Sequence, residues 1–138
     1  MAREKRISLH EKACKLIEQY EKKQGRHVER ESQGSGYDLK SKKNGDVRLI
    51  EVKATTGERP SRKRAYQLTL KEWKIFSEKR NAWIYLVYSL GRVPKLVKMR
   101  RDHIKIHQIK VVAPQINLRF PKKEEKELIA GVETLGTI

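Results

Sequence analysis

The sequence predicts an α/β domain in which helices flank a mixed β-sheet. Residues 8–24 have the spacing of an amphipathic helix. Two predicted strands follow, and Asn44-Gly45 between them is a strong signal for a tight hairpin turn. The segment 82–90 is apolar enough to be a strand covered on both faces, and it follows a second helical pattern. The resulting order is α-β-β-β-α-β-β.

The first helix is bounded by recognisable end signals. Ser8 and Glu11 have the spacing of a capping box, and Gly25 lies where a helix ends. Residues 26–35 show no periodicity, so we interpret them as a loop. The positions that share the apolar face of the helix are Leu9, Ala13, Leu16, Ile17 and Tyr20.

The strands and the second helix follow from local patterns. We expect strands at 36–42, 46–54 and 65–69, with a basic loop at 55–64. A second capping box starts at Thr69 and opens a helix to about Arg80. Its expected core face is Leu70, Trp73 and Phe76.

After the apolar strand at 82–90, the turn Gly91–Pro94 leads to an expected edge strand, "KLVKM". The following stretch predicts an extended piece, and Pro121 is placed to start a helix through about Ala130. With 138 residues the chain is long enough for one domain and one core. We expect that core to span about 8–100, with a C-terminal extension over 101–138.

Charge gives the first indication of function. Lys and Arg number 33 against 17 Asp and Glu, a net charge of +16. A surface of this kind attracts polyanions, and nucleic acid is the partner that it favours.

Cysteine and hydropathy limit the other classes. Cys14 is the single cysteine, which excludes a disulfide framework and a cysteine-based zinc site. The four histidines lack the spacing of a zinc site as well. No apolar run approaches the roughly 18 residues needed to span a bilayer. We therefore expect a cytoplasmic protein in a reducing interior, without a membrane partner.

The hairpin carries the residues with the clearest chemistry. Alternation along 46–54 directs Ile50, Val52 and Ala54 to one face and Glu51 and Lys53 to the other. We expect only the apolar face to be buried. If the hairpin closes at Asn44-Gly45, Asp38 on the partner strand approaches Glu51, so that the two carboxylates share a cation. Such a pair suits Mg²⁺, with Mn²⁺ as a substitute, and a lysine beside it suits phosphodiester hydrolysis.

These motifs resemble two related groups of proteins. The aspartate of "YD" followed by "RLIEVK" resembles the D…ExK signature of the PD-(D/E)XK nuclease superfamily, which has the restriction-endonuclease-like fold. The longer run "YEKKQGR … GYDLKSKKNGDVRLIEVKATTG … YQLTLKEW … WIYLVY" is similar to the NO VEIN C-terminal-type domain. This similarity covers about residues 13–90.

The resemblance implies a core of order αβββαβ and a set of site residues. Asp38 and Glu51 match the metal ligands, and Lys53 matches the catalytic lysine. Val52, which lies between Glu51 and Lys53, is also assigned to the metal site. Glu21 matches an acidic residue that many superfamily members add from the first helix, and Glu18 is the alternative. Gln67 resembles a glutamine that some members place beside the lysine. Tyr37 departs from the superfamily pattern, since it stands where the motif has proline.

Basic residues around this site predict a nucleic-acid surface. The expected phosphate contacts are Arg59, Arg62, Lys63 and Arg64 in the loop and Lys40, Lys42 and Lys43 in the hairpin, with a second cluster at Lys95, Lys98, Arg100 and Arg101.

The sequence therefore predicts a Mg²⁺-dependent DNA endonuclease with structure-selective or weakly sequence-specific binding. The alternative is a non-catalytic DNA- or RNA-binding module of a helicase or restriction-type system, and RNA cleavage is a third possibility. Cutting both strands of a DNA duplex would require two active sites, and a homodimer would supply them.

Overall fold

A computed structural model describes residues 8–32, 34–57, 66–101, 108–112, 115–119 and 133–134. Within these ranges the elements follow the predicted order as far as the apolar strand, with one additional strand after the first helix. They are α1 (Leu9–Lys23), β1 (His27–Arg30), β2 (Leu39–Lys43), β3 (Asp46–Ala54), β4 (Tyr66–Thr69), α2 (Leu70–Glu78), β5 (Ala82–Tyr88), β6 (Lys95–Met99), β7 (Gln108–Val112), β8 (Gln115–Arg119) and β9 (Glu133–Thr134).

The central sheet has six strands in the order β1-β2-β3-β5-β6-β9. The β3–β5 pair is parallel and the other neighbours are antiparallel, so the sheet is mixed. A smaller antiparallel sheet contains β4, β8 and β7 in that order. The predicted α/β class, a mixed sheet flanked by helices, is confirmed.

Helix α1 covers one face of the central sheet. The Ser8 side chain accepts a hydrogen bond from the Glu11 N–H at 3.1 Å, which confirms the predicted helix start. The side chains of Cys14 and Ile17 are fully buried and pack in one cluster with Ile50 and Val52 of β3. Leu9 differs from the prediction, since it is 46% exposed at the first residue of the helix.

Helix α2 lies over the opposite face of the sheet. Thr69 and Glu72 form the predicted capping box. Phe76 and Trp73 pack with Ile84 and Leu86 of β5, so β5 is covered on both faces as predicted. Leu70 was assigned to the core, and that prediction is wrong, because its side chain is 60% exposed.

The Asn44-Gly45 turn joins β2 to β3 as predicted. Both residues have positive φ angles, 50° and 82°, as a two-residue hairpin turn of the primed type requires. The register pairs Lys43 with Asp46 and Leu39 with Ile50. The strand predicted for 36–42 begins only at Leu39, and Asp38 therefore lies immediately before it.

Two predictions about the strands are wrong, and one predicted strand joins a second sheet. Residues 27–30, assigned to a loop, form the edge strand β1, which is held by pairing with β2 rather than by an apolar pattern of its own. The segment 66–69 is a strand but pairs with β8 in the smaller sheet, so the three strands before α2 in the central sheet are β1, β2 and β3. The two residues of β9 pair with β6, which is therefore not an edge.

The face of β3 opposite α1 is also more buried than expected. Glu51 is 6% exposed and Leu49 is 8% exposed. The extended piece predicted after 100 corresponds to β7. The helix predicted from Pro121 to about Ala130 lies outside the described residues.

Candidate active site

The hairpin fixes Asp38 against β3. Its N–H donates to the Ile50 carbonyl at 2.8 Å, and its Oδ2 accepts from the Val52 N–H at 2.8 Å. Because Leu39 pairs with Ile50, alternation places Asp38 on the same face as Glu51. The predicted approach of these two carboxylates is present, since their side chains are close enough for each to shift the pKa of the other.

Glu51 and Asp38 respond to this contact in opposite directions. Burial, together with the hydrogen bond to Asp38, raises the pKa of Glu51 far above its ordinary value. Burial works against ionisation of Asp38 too, but hydrogen bonds from His10, Glu51 and the Val52 N–H lower its pKa overall. The pair therefore holds one proton between two carboxyl groups at neutral pH.

A carboxyl pair that retains a proton is chemically suited to exchange it for a cation. Glu51 Oε2 is buried and has no hydrogen-bond partner, so one ligand oxygen is available at the centre of the site. No group of three or more His, Cys, Asp or Glu side chains in the described ranges is arranged to hold a metal ion. Two carboxylates with the remaining positions filled by water or phosphate are the arrangement typical of Mg²⁺.

Val52 can contribute to such a site only through its backbone. Its side chain is 1% exposed and packs in the α1 cluster on the other face of the sheet. Its N–H is already donated to Asp38, which leaves the carbonyl oxygen as the possible ligand.

Lys53 lies between two carboxylates. Its Nζ is 3.9 Å from Glu51 Oε2 and 3.9 Å from Glu72 Oε1. Glu72 belongs to the first turn of α2, where its side chain also accepts from the Thr69 N–H at 2.8 Å. The capping box predicted the hydrogen bond between Glu72 and Thr69. No sequence pattern indicated that α2 would place Glu72 beside Lys53.

His10 is a second residue that the sequence did not assign to the site. Its Nε2 is 3.2 Å from Asp38 Oδ2, and its side chain is half-exposed at the start of α1. The hydrogen bond to Asp38 raises the pKa of His10 to about 10. The sequence contains little indication of this role, because a single histidine in the first turn of a helix does not predict which residue of the sheet it will contact.

The structure does not bring Glu21 or Glu18 to this group. Glu21 is fully buried and accepts from the Tyr85 hydroxyl at 2.9 Å and from Arg48 Nη1 at 3.2 Å. Arg48 shares its face of β3 with Ile50 and Val52, which is the face opposite Glu51. Glu18 is paired with Arg30. The helix residue that contacts Asp38 is His10 instead.

Gln67 is in β4, two residues before the capping threonine of α2. Its backbone pairs with Asn117 of the smaller sheet, and its side chain lies outside the described part of the chain.

A cleft of about 420 Å³ opens beside Asp38. The start of α1, the segment before β2 and the start of α2 surround it. The residues that line it are His10, Cys14, Arg30, Glu31, Ser32, Gly34, Gly36, Tyr37, Asp38, Thr69, Lys71 and Glu72.

The hairpin lysines divide between the two faces of the sheet. Lys40 and Lys42 share the face of Asp38 and Glu51, and Lys40 lies 3.8 Å from Glu31. Lys43 points to the α1 side, where its Nζ donates to the Gln24 carbonyl at 2.8 Å. Arg59, Arg62, Lys63 and Arg64 lie outside the described residues.

Two residues of the second basic cluster lie on the face of the sheet opposite Glu51. Lys98 and Arg100 lie on the α1 face, over the rings of Tyr20 and Trp83 respectively. Their ring contacts at 5.1 Å and 4.9 Å give these cations a packing role on that side of the sheet.

The fold and these side chains together define an α/β domain with a carboxylate pair and a lysine on one β-hairpin. The chain belongs to the family described as Protein NO VEIN, C-terminal, whose model matches residues 10–99. The matched segment contains His10, the hairpin and α2. No curated protein sequence matches the chain. Among the described residues, no helix has the length and apolar character needed to cross a membrane.

Proposed function

We propose that the protein is a Mg²⁺-dependent DNA endonuclease of the PD-(D/E)XK type. One observation carries the proposal: Glu51, buried beside the half-buried Asp38, has a carboxyl oxygen without a hydrogen-bond partner, 3.9 Å from the Lys53 ammonium. Burying a carboxyl group without a partner is costly, so this arrangement calls for a compensating function.

The fit of Mg²⁺ to this site rests on the donor set. Asp38 and Glu51 would hold the ion, with the Val52 carbonyl as a third oxygen, and a bound Mg²⁺ would supply Lewis-acid polarisation of a phosphoryl oxygen. Asp38 is held in place by the Val52 N–H, so little reorganisation is required of it.

Among the described residues, Lys53 is well placed to act on a phosphate. Its side chain is 24% exposed, whereas that of Glu51 is 8% exposed, so the ammonium lies on the solvent side of Glu51. From there it would stabilise negative charge on the scissile phosphate or orient a water molecule. Glu72, on the other side, would keep the ammonium directed at the pair.

The surface charge supports DNA as the polyanion. Lys40 and Lys42 continue the face of the site along β2, and the net charge of the chain is +16. Contacts of this type bind phosphates without reading bases. The proposal is therefore for structure-selective or weakly sequence-specific binding.

The test is a cleavage assay on supercoiled plasmid, branched DNA, single strands and RNA, with Mg²⁺, Mn²⁺ or EDTA. We expect Mg²⁺-dependent cutting of DNA that falls by about 10²-fold or more in Glu51→Gln and in Lys53→Met. Glu78→Gln is the matched control, because it removes an exposed carboxylate at the last residue of α2, at the opposite end of that helix from Glu72.

Each contrary result has a defined meaning. Cleavage that persists in EDTA or in Glu51→Gln would exclude the metal mechanism. DNA binding with no cutting of any substrate would assign the protein to the alternative class, a non-catalytic nucleic-acid-binding module. Preferential cutting of RNA would replace DNA as the substrate.

A further inference from the structure

The cleft beside Asp38 contains an aromatic side chain that the proposed hydrolysis does not use. Tyr37 directly precedes Asp38 and lines the same cavity. We infer that this cleft binds one unpaired nucleotide with its base on Tyr37, so that the substrate is a single-stranded or frayed DNA segment. The inference rests on the proposed function, because Asp38 identifies where the scissile phosphate lies.

The size and enclosure of the cleft favour a single nucleotide. Its volume of about 420 Å³ falls within the range of about 300–1,000 Å³ that is typical of small-molecule pockets. The start of α1 and the start of α2 bound it, and the segment 34–37 closes a third side. A base that is still paired would carry its partner strand into these walls, whereas an unpaired base can enter alone.

The glycine-containing wall of the cleft is held against α2. The Lys71 ammonium donates to the Gly34 carbonyl. Gly36 packs so closely that a Cβ atom there would lie 2.5 Å from Ile75 Cδ1. The wall is thus formed before any ligand binds, which lowers the ordering cost of binding.

The lining has the mixed character of a nucleotide site. Tyr37 offers a half-buried ring for stacking, which tolerates any base. Arg30, Lys71 and His10 are the basic residues of the lining. Arg30 and His10 are paired with carboxylates, and Lys71 donates to the Gly34 carbonyl. The two acidic residues of the lining other than Asp38 already contact cations, since Glu31 is 3.8 Å from Lys40 and Glu72 is 3.9 Å from Lys53.

The position of Tyr37 links stacking to chemistry. Tyr37 and Asp38 are adjacent in the chain, and Asp38 is bound to β3 beside Glu51. A nucleotide whose base rests on Tyr37 would therefore present its own or the adjoining phosphate to the carboxylate pair. Selectivity for unpaired DNA would then come from the cleft rather than from base-specific hydrogen bonds.

The experiment measures binding without cleavage, by fluorescence anisotropy in EDTA. The probes are a labelled deoxythymidine strand of about ten nucleotides, an abasic strand of the same length, a duplex and a uridine strand. Wild-type protein, Tyr37→Ala and Tyr37→Phe are compared, and circular dichroism checks their folding.

We expect wild-type protein to bind the deoxythymidine strand about tenfold more tightly than the abasic strand. Tyr37→Phe should retain this ratio, Tyr37→Ala should abolish it, and duplex binding should change little in either variant. The comparison of the two strands on wild-type protein remains decisive even if Tyr37→Ala does not fold.

Equal binding of the thymidine and abasic strands by wild-type protein would overturn the inference while leaving the nuclease proposal intact. An equal loss of strand and duplex binding in a folded Tyr37→Ala would also overturn it, since stacking would then not be the cause. Tighter binding of the uridine strand would overturn the assignment to DNA. A failure to bind any probe would overturn the inference and the proposed function together.

Discussion

At the scale of single residues, Glu51 is a carboxyl group whose ionisation is coupled to folding. In the folded chain, burial and the contact with Asp38 raise its pKa from 4.5 to about 10. The folded state thus keeps a proton that the unfolded state releases above 4.5. The stabilising contribution of this protonated carboxyl is complete below 4.5 and is lost as the pH rises toward 10.

We expect this linkage to appear when Glu51→Gln is compared with wild-type protein in EDTA. Glutamine does not titrate, so the stability of wild type relative to the variant should decrease between about pH 5 and pH 8, by at most about 1.4 kcal/mol per pH unit. Thermal or urea denaturation at several pH values measures the difference. A difference independent of pH would show that Glu51 is ionised in the folded chain.

Addition of Mg²⁺ should reverse this loss. A cation bound between Asp38 and Glu51 requires both carboxylates to be ionised, so Mg²⁺ should raise the melting temperature of wild-type protein more at about pH 8 than at about pH 6. Glu51→Gln should show little effect of Mg²⁺ at either pH. Stabilisation of equal size in the variant would place the ion elsewhere.

Glu72 permits the separation of two roles at one side chain. Glu72→Gln keeps an acceptor for the Thr69 N–H but removes the charge beside Lys53. We expect its stability to stay within about 0.5 kcal/mol of wild type, while the cleavage rate falls about tenfold or more because Lys53 loses a positioning partner. Glu72→Ala should lose the same activity and, in addition, about 1 kcal/mol of stability. Denaturation curves and cleavage rates measured on both variants separate the effects.

The site residues differ in how far the sequence could predict them. Glu51 and Lys53 follow from strand alternation, which is a local property, and Asp38 follows from the turn that sets the hairpin register. His10 and Glu72 reach the site only because two helices cross the sheet at particular positions, and local patterns do not determine these. Glu21 had the expected spacing in α1 but faces Arg48 and Tyr85.

At the scale of elements, the segment before β2 depends on its contact with α2. Gly34 and Gly36 both have positive φ angles, 89° and 87°, so alanine is strained at either position. Only at Gly36 would a Cβ also meet Ile75 Cδ1 and Lys71 Cγ, at 2.5 Å and 3.1 Å. At Gly34 no atom lies within 4 Å of the added carbon.

The two alanine variants should therefore differ by the packing cost alone. We expect Gly36→Ala to be less stable than Gly34→Ala by about 1–2 kcal/mol, because the overlap displaces α2 from the segment. Gly36→Ala should also weaken binding of single strands, since the wall of the cleft moves. Melting temperatures and anisotropy measurements on both variants test this, and equal melting temperatures would contradict the close contact.

The same scale shows why some elements were predictable and others were not. The hairpin β2–β3 has a strong turn signal and a strand long enough to show alternation, so its bounds at 46–54 follow directly from the sequence. The four residues of β1 carry one apolar side chain and become a strand by pairing with β2. The strand β4 joins the smaller sheet by pairing with β8. Thr69 pairs there with Gln115, which is 46 residues further along the chain, so local patterns could not predict this pairing.

At the scale of the whole molecule, a net charge of +16 favours binding to nucleic acid, but the position of the basic residues decides which surface binds it. The central sheet separates the basic residues into two groups. Lys98 and Arg100 lie over aromatic rings on the α1 side. Lys40 and Lys42 share the face of the carboxylate pair. Of these two groups, the second lies on the face where we propose that DNA binds.

Lys42 and Lys43 provide a direct comparison, because these neighbours occupy opposite faces of β2 and both are exposed. Lys42→Ala should weaken DNA binding and reduce the slope of log K against log salt by about 0.7–0.9, the effect of losing one phosphate contact. Lys43→Ala carries the same change in net charge but removes a cation bound to the Gln24 carbonyl, so its slope should match that of wild type. Titrations at several salt concentrations measure both slopes. Equal slopes in the two variants would mean that overall charge, rather than the face of the sheet that holds Asp38 and Glu51, controls binding.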